Sequence, residues 1–334
     1  MWLLCTRTAE LKSFARPEDV PGGYAILSHV WEPPGKEDTF QRILDLEKQA
    51  ESPRDLVSPK IRQFLTFAEK DGYSWAWADT CCIDKESSAQ LTEAINSMFR
   101  YYALADVCYA YLSDVTAENW DVMSLTTIAT FFETSKWHGR GWTLQELIAP
   151  KTVLFFAVDW TPLGTKFELA KSLEAATGIP QAVLRMEMDV TEISIAARMS
   201  WAARRKTTRV EDEAYSLFGL FGINLPTLYG EGQNAFYRLQ EGIMKTSADT
   251  SLFAWGPAAS SMDLKFDIDF RVRRNQAVSI AKEDPRVHLF APSPSHFRDA
   301  GNIMSHTLSH TVDGFSGVAQ VSSVPIEALS RSNI

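Results

Sequence analysis

The sequence predicts an α/β fold: a parallel sheet flanked by helices, with an added helical part toward the carboxyl end. Three observations predict it. Compact apolar runs turn polar at their carboxyl ends, helical spacing fills the stretches between them, and the pattern becomes helical throughout from about residue 165. Strands buried on both faces read as near-continuous apolar runs, and alternation of such runs with helices is the pattern of a parallel sheet.

Taken in order, "YAILSH" (24–29) is the first of these strands. Residues 59–72, "PKIRQFLTFAEKDG", predict a helix with Pro at its start and Gly at its stop. "WAWADT" (75–80) is the second strand. "SSAQLTEAINSMFRYYALA" follows, with Leu91, Ile95, Met98 and Tyr102 at helical spacing. "VCYAYLSD" (107–114) and "KTVLFFAV" (151–158) are the third and fourth strands, and "GRGWTLQELIAP" predicts a short helix stopped at Pro150 just before the last of them. The domains expected are an α/β core over 1–160, a helical remainder over 161–256, and an extension over 257–334 that is β-rich or partly disordered.

The chain has 334 residues, 45% of them hydrophobic, and a formal charge of −9, which suits a globular protein and argues against nucleic-acid or anionic-membrane binding. "MWLLCTRTAELKSF" lacks the apolar length and cleavage site of a secretory signal, and no run has the ~18 apolar residues of a membrane span. Four cysteines, two of them adjacent, are a poor disulfide framework, so a reducing, cytoplasmic setting is expected.

In open sheets of this kind ligands bind beyond the carboxyl ends of the strands. Ser28, His29, Asp79, Thr80, Ser113 and Asp114 are therefore expected along one edge. Glu146 stands on an otherwise apolar helix face, four residues after Trp142 and on the same face as it. It is either a surface carboxylate paired with Arg140 or a perturbed, functional one held against the sheet. Cys81 and Cys82, with His29 or His138, offer a thiol and a base, but buried cysteine is more often a small hydrophobe. The six histidines give no helical metal pair, and no metal is expected. Arg204, Arg205 and Lys206 ahead of Glu211, Asp212 and Glu213 read as a charge-balanced helix start or as a phosphate or partner surface. "YGEGQNAFYRLQ" (229–240) reads as a helix cap and start rather than a nucleotide loop.

"YAILSHVW", "WAWADTCCIDKESSAQLTEAINSMFRYYALADVCYAYLSDV" and "FFETSKWHGRGWTLQELIAPKTVLFF" together closely resemble the fungal heterokaryon-incompatibility (HET) domain. "RMSWAARRKTTRVEDEAYSLFGLFGINLPTLYGEGQNAFYRLQEGIMKTSADTSLFAW" resembles its usual continuation, and "LFAPSPSHF" a segment often found after it. That family is associated with non-self recognition and regulated cell death on fusion of incompatible hyphae. It is a distant relative of TIR domains: "AILSH" resembles their first-strand motif, and "SKWHGRGWTLQEL" the segment in which Ser and Trp precede a Glu-Leu pair. His138 to Gly141 separate Trp137 from Trp142, so either tryptophan can answer that position.

The resemblance implies a TIR-like, flavodoxin-like core in which Glu146 cleaves NAD+ at the nicotinamide–ribose bond, with NAD+ or a related nucleotide as substrate and no cofactor. By position, Ser28 and His29 would meet ribose or phosphate, Asp79 and Asp84 would border the site, and Trp31 or Trp142 would stack on a ring. Each has a plainer role: Asp79 as a turn cap, His29 as a satisfied core histidine. Homo-oligomerisation and an activating protein partner are implied by analogy. The alternative is a non-catalytic death-signalling module that works by self-association.

Overall fold

The computed structural model describes residues 1–33, 35–49, 52–117, 130–256 and 289–304. Its contacts divide it into two compact units. The first comprises Met1–Met188, Lys206–Thr208 and Tyr215–Thr227; the second comprises Asp189–Arg205, Arg209–Ala214 and the chain from Leu228 on.

The first unit is α/β and carries a seven-stranded sheet ordered β2-β1-β4-β3-β5-β6-β7, built from β1 (Trp2–Cys5), β2 (Leu11–Ser13), β3 (Ala25–His29), β4 (Trp75–Trp77), β5 (Val107–Tyr111), β6 (Val153–Phe156) and β7 (Pro162–Thr165). The four strands that the apolar runs predict form its parallel centre, β4-β3-β5-β6. All five residues of β3 and of β5 are buried, as a strand covered on both faces requires.

The sheet is nevertheless mixed rather than parallel throughout. β1 runs antiparallel to β2 and β4, and β7 runs antiparallel to β6. Short connections force the β1–β2 and β6–β7 pairings, because only antiparallel neighbours can be joined by a tight turn. The β6–β7 turn closes with Ala157 N–H donating to the Thr161 carbonyl (2.9 Å) and puts Trp160 at φ 63°. The second predicted strand also ends earlier, because Asp79–Cys82 coil into a short helix, α3.

The helices on the sheet follow from their caps and apolar spacing. α1 (Phe40–Gln49) buries Phe40, Ile43 and Leu46. α2 (Pro59–Lys70) has Pro59 at its first turn and the Ser58 hydroxyl accepting from Ile61 N–H, and buries Ile61, Phe64, Leu65 and Ala68. α4 (Ser88–Leu104) is capped by Ser87 and buries Ala94, Ile95, Met98, Tyr101 and Tyr102. α5 (Thr143–Ile148) is buried at all six positions.

In the second unit, Ile195–Ser200 is a helix capped by Ser194, and Asn234–Thr246 is a longer one whose buried Gln240 binds the Ala291 backbone through both amide atoms (2.8 and 2.9 Å). Glu211 accepts from the N–H groups of Gly230 and Gly232 (2.8 and 3.1 Å), so the glycine-containing stretch closes a backbone clamp before that helix. Residues 257–334 lie outside the described residues except for 289–304, which contain one 3-10 turn, Pro294–Phe297. Among the described residues no helix is long and apolar enough to cross a membrane.

Candidate functional site

The central strands run 2-1-3-4 in chain order, so the chain leaves β3 for β4 on one side and returns to β5 on the other. That reversal is the switch point at which open α/β sheets bind ligands. β3 ends there in Ser28 and His29, and α5, which carries Glu146, packs against β3.

The Ser28 hydroxyl donates to Glu146 Oε2 (2.5 Å) and accepts from Trp137 Nε1 (2.9 Å). An indole N–H can only donate, so Trp137 fixes the serine rotor and directs its proton at the carboxyl group. The Tyr102 hydroxyl, which donates to the Leu27 carbonyl (2.9 Å), lies beside the same carboxyl. Glu146 is 5% exposed. Burial pushes its pKa up to about 7, and the charge of Arg140 and the Ser28 hydrogen bond pull it back only in part.

Trp137 is held by the turn around it. Asp114, just past β5, accepts from Ser135 Oγ (2.7 Å) and Lys136 N–H (2.8 Å), and Ser135 caps the 3-10 turn Lys136–Gly139. That turn takes up His138 and Gly139, two of the four residues separating the two tryptophans. Trp137 thereby reaches Ser28, whereas Trp142 only begins α5 and is half-buried. The next residues pair with Lys206–Thr208: Gly141 N–H donates to the Lys206 carbonyl and Lys206 N–H to the Gly139 carbonyl, both at 2.8 Å. A Cβ on Gly141 would lie 2.4 Å from Thr207 Cγ2, so the approach requires glycine. At the far end of α5, buried Lys166 donates to the carbonyls of Leu147 (3.2 Å) and Pro150 (2.5 Å), and burial lowers its pKa to about 8.

Beside this network lies a charged one. His29 is buried, 3.7 Å from Glu37 and 3.9 Å from Asp79; burial lowers its pKa, and the two acids pull against that shift. Burial would raise the Glu37 carboxyl, but His29, the Glu32 N–H (2.6 Å) and the buried Lys60 ammonium (2.6 Å) hold it well below the usual range. Asp79 accepts from Trp31 Nε1 (2.8 Å), and Lys85, His29 and Arg140 outweigh its burial to keep it ionised.

Of the residues that the sequence singles out, Ser28 and Glu146 therefore share a hydrogen bond, and His29, Asp79 and Trp31 form the neighbouring charged cluster. Asp84 stands apart, bonded to Gln41 Nε2 (2.6 Å) and Glu86 N–H (3.0 Å). Trp137, Tyr102 and Arg140 complete the site. Trp137 was legible only as one of two candidates, Tyr102 as part of an apolar helix face, and Arg140 as a surface ion-pair partner. Cys81 and Cys82 are buried with raised pKa values, burial being the cause, and Cys81 donates to the Asp38 carbonyl (3.3 Å). Both are packed as small hydrophobes.

The fold and site define a class: an α/β domain with a buried, near-neutral carboxyl group at the switch point of its sheet. Residues 24–128 match the family model described as heterokaryon incompatibility protein (HET), and residues 234–326 match a family described as a domain of unknown function (DUF8212). The chain is 43% identical over 233 residues to the vegetative incompatibility protein HET-E-1 of Podospora anserina, a match covering 68% of this chain and 17% of that relative's length. The chain belongs to the HET-domain family. No solved structure matches it.

Proposed function

We propose that this chain is a heterokaryon-incompatibility effector, a TIR-like α/β domain that kills by hydrolysing NAD+ at the nicotinamide–ribose bond with Glu146 as the key carboxylate. The observation carrying the reading is the Ser28–Glu146 pair at the switch point, where a carboxyl with a pKa near 7 meets the carboxyl ends of the strands. The 2-1-3-4 strand order agrees with the flavodoxin-like arrangement of TIR domains.

The chemistry suits a single carboxylate. When the C–N bond breaks, its electron pair leaves with nicotinamide, and the cationic pyridinium becomes a neutral pyridine that needs no proton. The positive charge passes to the ribose C1′, where an ionised Glu146 stabilises it until water adds and releases a proton. A bound pyridinium favours the ionised form of Glu146, while Ser28 and Trp137 orient it. The free protein presents the ionised form only above about pH 7, so kcat/KM should rise through that pH. A flat profile from pH 5.5 to 8.5 would remove Glu146 from this role. The active form in this reading is a homo-oligomer in the cytoplasm, assembled by an activating protein partner.

One observation favours a second reading, a non-catalytic module acting by self-association. Glu146 is 5% exposed and all six residues of α5 are buried, as an internal acceptor pinning helix to sheet would be. NAD+ turnover by wild type and Glu146→Gln, at low and high protein concentration and with circular dichroism and melting as controls, separates the two. Nicotinamide release by wild type, absent in a folded variant, supports the enzyme. No turnover even by assembled wild type, with a variant that melts lower, supports the module.

A further inference from the structure

The indole of Trp31 is 41% exposed and carries two cations of its own chain, Lys85 Nζ at 3.8 Å and Arg140 Cζ at 4.5 Å from a ring centroid. Its Nε1 is anchored on Asp79 (2.8 Å). The charge of Arg140 acts on both Asp79 and Glu146. One planar cation is thus set against an indole that is itself bonded to Asp79, and its charge is felt at both carboxyl groups. A second observation points to unused polar capacity at the same edge: His29, 2% exposed and 3.9 Å from Asp79 Oδ1, has neither ring nitrogen hydrogen-bonded among the described residues.

Aromatic faces attract cations, and a guanidinium does so as a flat, delocalised one. An N-alkylated pyridinium has the same charge, the same planarity and a similar thickness. We propose that Trp31, Asp79 and Glu146 form a subsite for a planar aromatic cation of the N-alkylpyridinium class, and that the Arg140 guanidinium is its built-in occupant, which a ligand must displace. The main chain at Arg140 is fixed because its neighbours Gly139 and Gly141 pair with Lys206. Ligand entry therefore works against a fixed backbone, and the resting chain is self-blocked. The consequence for catalysis rests on the reading of Glu146 as facing NAD+; the binding itself does not.

The test titrates the 1-methylnicotinamide cation into wild type, Arg140→Ala, Arg140→Lys and Trp31→Ala/Arg140→Ala by ligand-observed NMR, with folding checked by circular dichroism. Arg140→Ala should bind at least fivefold tighter than wild type. Arg140→Lys, which keeps the charge but not the plane, should fall between them, and removing Trp31 should reverse the gain. Equal or weaker binding by folded Arg140 variants, or a gain that survives loss of Trp31, overturns the subsite. Should Arg140→Ala fail to fold, Arg140→Lys decides. Release of nicotinamide from NAD+ is followed in parallel. Tighter cation binding without release in any variant sinks the enzyme and leaves the subsite standing, whereas release that the Arg140 variants fail to raise, with no gain in binding, sinks the subsite alone.

Discussion

Burial holds the Glu146 carboxyl at about 7 in the folded chain against an ordinary value of 4.5. Between those two pH values the unfolded chain has released a proton that the folded chain retains. The stability this group contributes is therefore complete below about pH 4.5 and is lost as pH rises through about 7, a change of about 3 kcal/mol. Glu146→Gln should remove that slope, so that its melting temperature gains on wild type steadily from pH 4.5 to 7.5. A constant difference across that range would mean that Glu146 is not the buried acid described. Ser28→Ala acts differently, because it strips the donor from Glu146 and the acceptor from Trp137 at once. It should cost about 1–3 kcal/mol in chemical denaturation, and it should move the pH-dependent loss of stability to more alkaline pH. A loss of stability with an unmoved pH profile would break the proposed link between the serine and the carboxyl.

At the scale of elements, the loop ahead of α5 depends on a close approach. With only 2.4 Å between a Gly141 Cβ and Thr207 Cγ2, Gly141→Ala should cost about 1–3 kcal/mol, and much less in a Thr207→Ser background, where the obstructing methyl is gone. Additive costs in that double-mutant cycle would show that the two residues do not meet. No sequence signal foretold this approach, because it is set by the backbone hydrogen bond from Gly141 to Lys206, 65 residues away. The elements that were legible are those whose signal is local. β5 is an unbroken apolar run and β3 one that turns polar only at Ser28 and His29, while α2 announces itself by Pro59 and Gly72 and α4 by its apolar spacing. β1, β2 and β7 were not legible, since three or four residues give too little alternation and their antiparallel sense is set by turns, one of which places Trp160 rather than a glycine at positive φ. The site follows the same division. Ser28 could be placed at a strand end from the sequence, but the choice of Trp137 over Trp142 is made by the 3-10 turn that Ser135 and Asp114 cap.

At the scale of the whole molecule, the sheet unit is not one continuous length of chain, since it recruits Lys206–Thr208 and Tyr215–Thr227 from beyond Met188. The second of these lies along one face of α4. Gly219 sits against Phe99, where an added Cβ would fall 2.0 Å from the phenylalanine Cβ; Leu225 exchanges two hydrogen bonds with the Asn96 amide, both at 3.1 Å; and Thr227 meets Thr92 at 2.7 Å. The segment also buries Phe218, Leu220 and Ile223. At roughly 1.5–3 kcal/mol for each buried side chain, these three rival the ~5–15 kcal/mol net stability of a typical domain. α4 in turn supplies Tyr102 beside Glu146, so loss of the segment reaches the site through that helix. A chain ending at Thr227 should therefore melt cooperatively, whereas one ending at Met188 should not, although the shorter chain retains every strand and the Ser28, Trp137 and Glu146 side chains. Cooperative melting of residues 1–188 with native circular dichroism would show that the sheet and its carboxyl edge stand without the returning segment, and that the covering of α4 adds stability without being required for the fold.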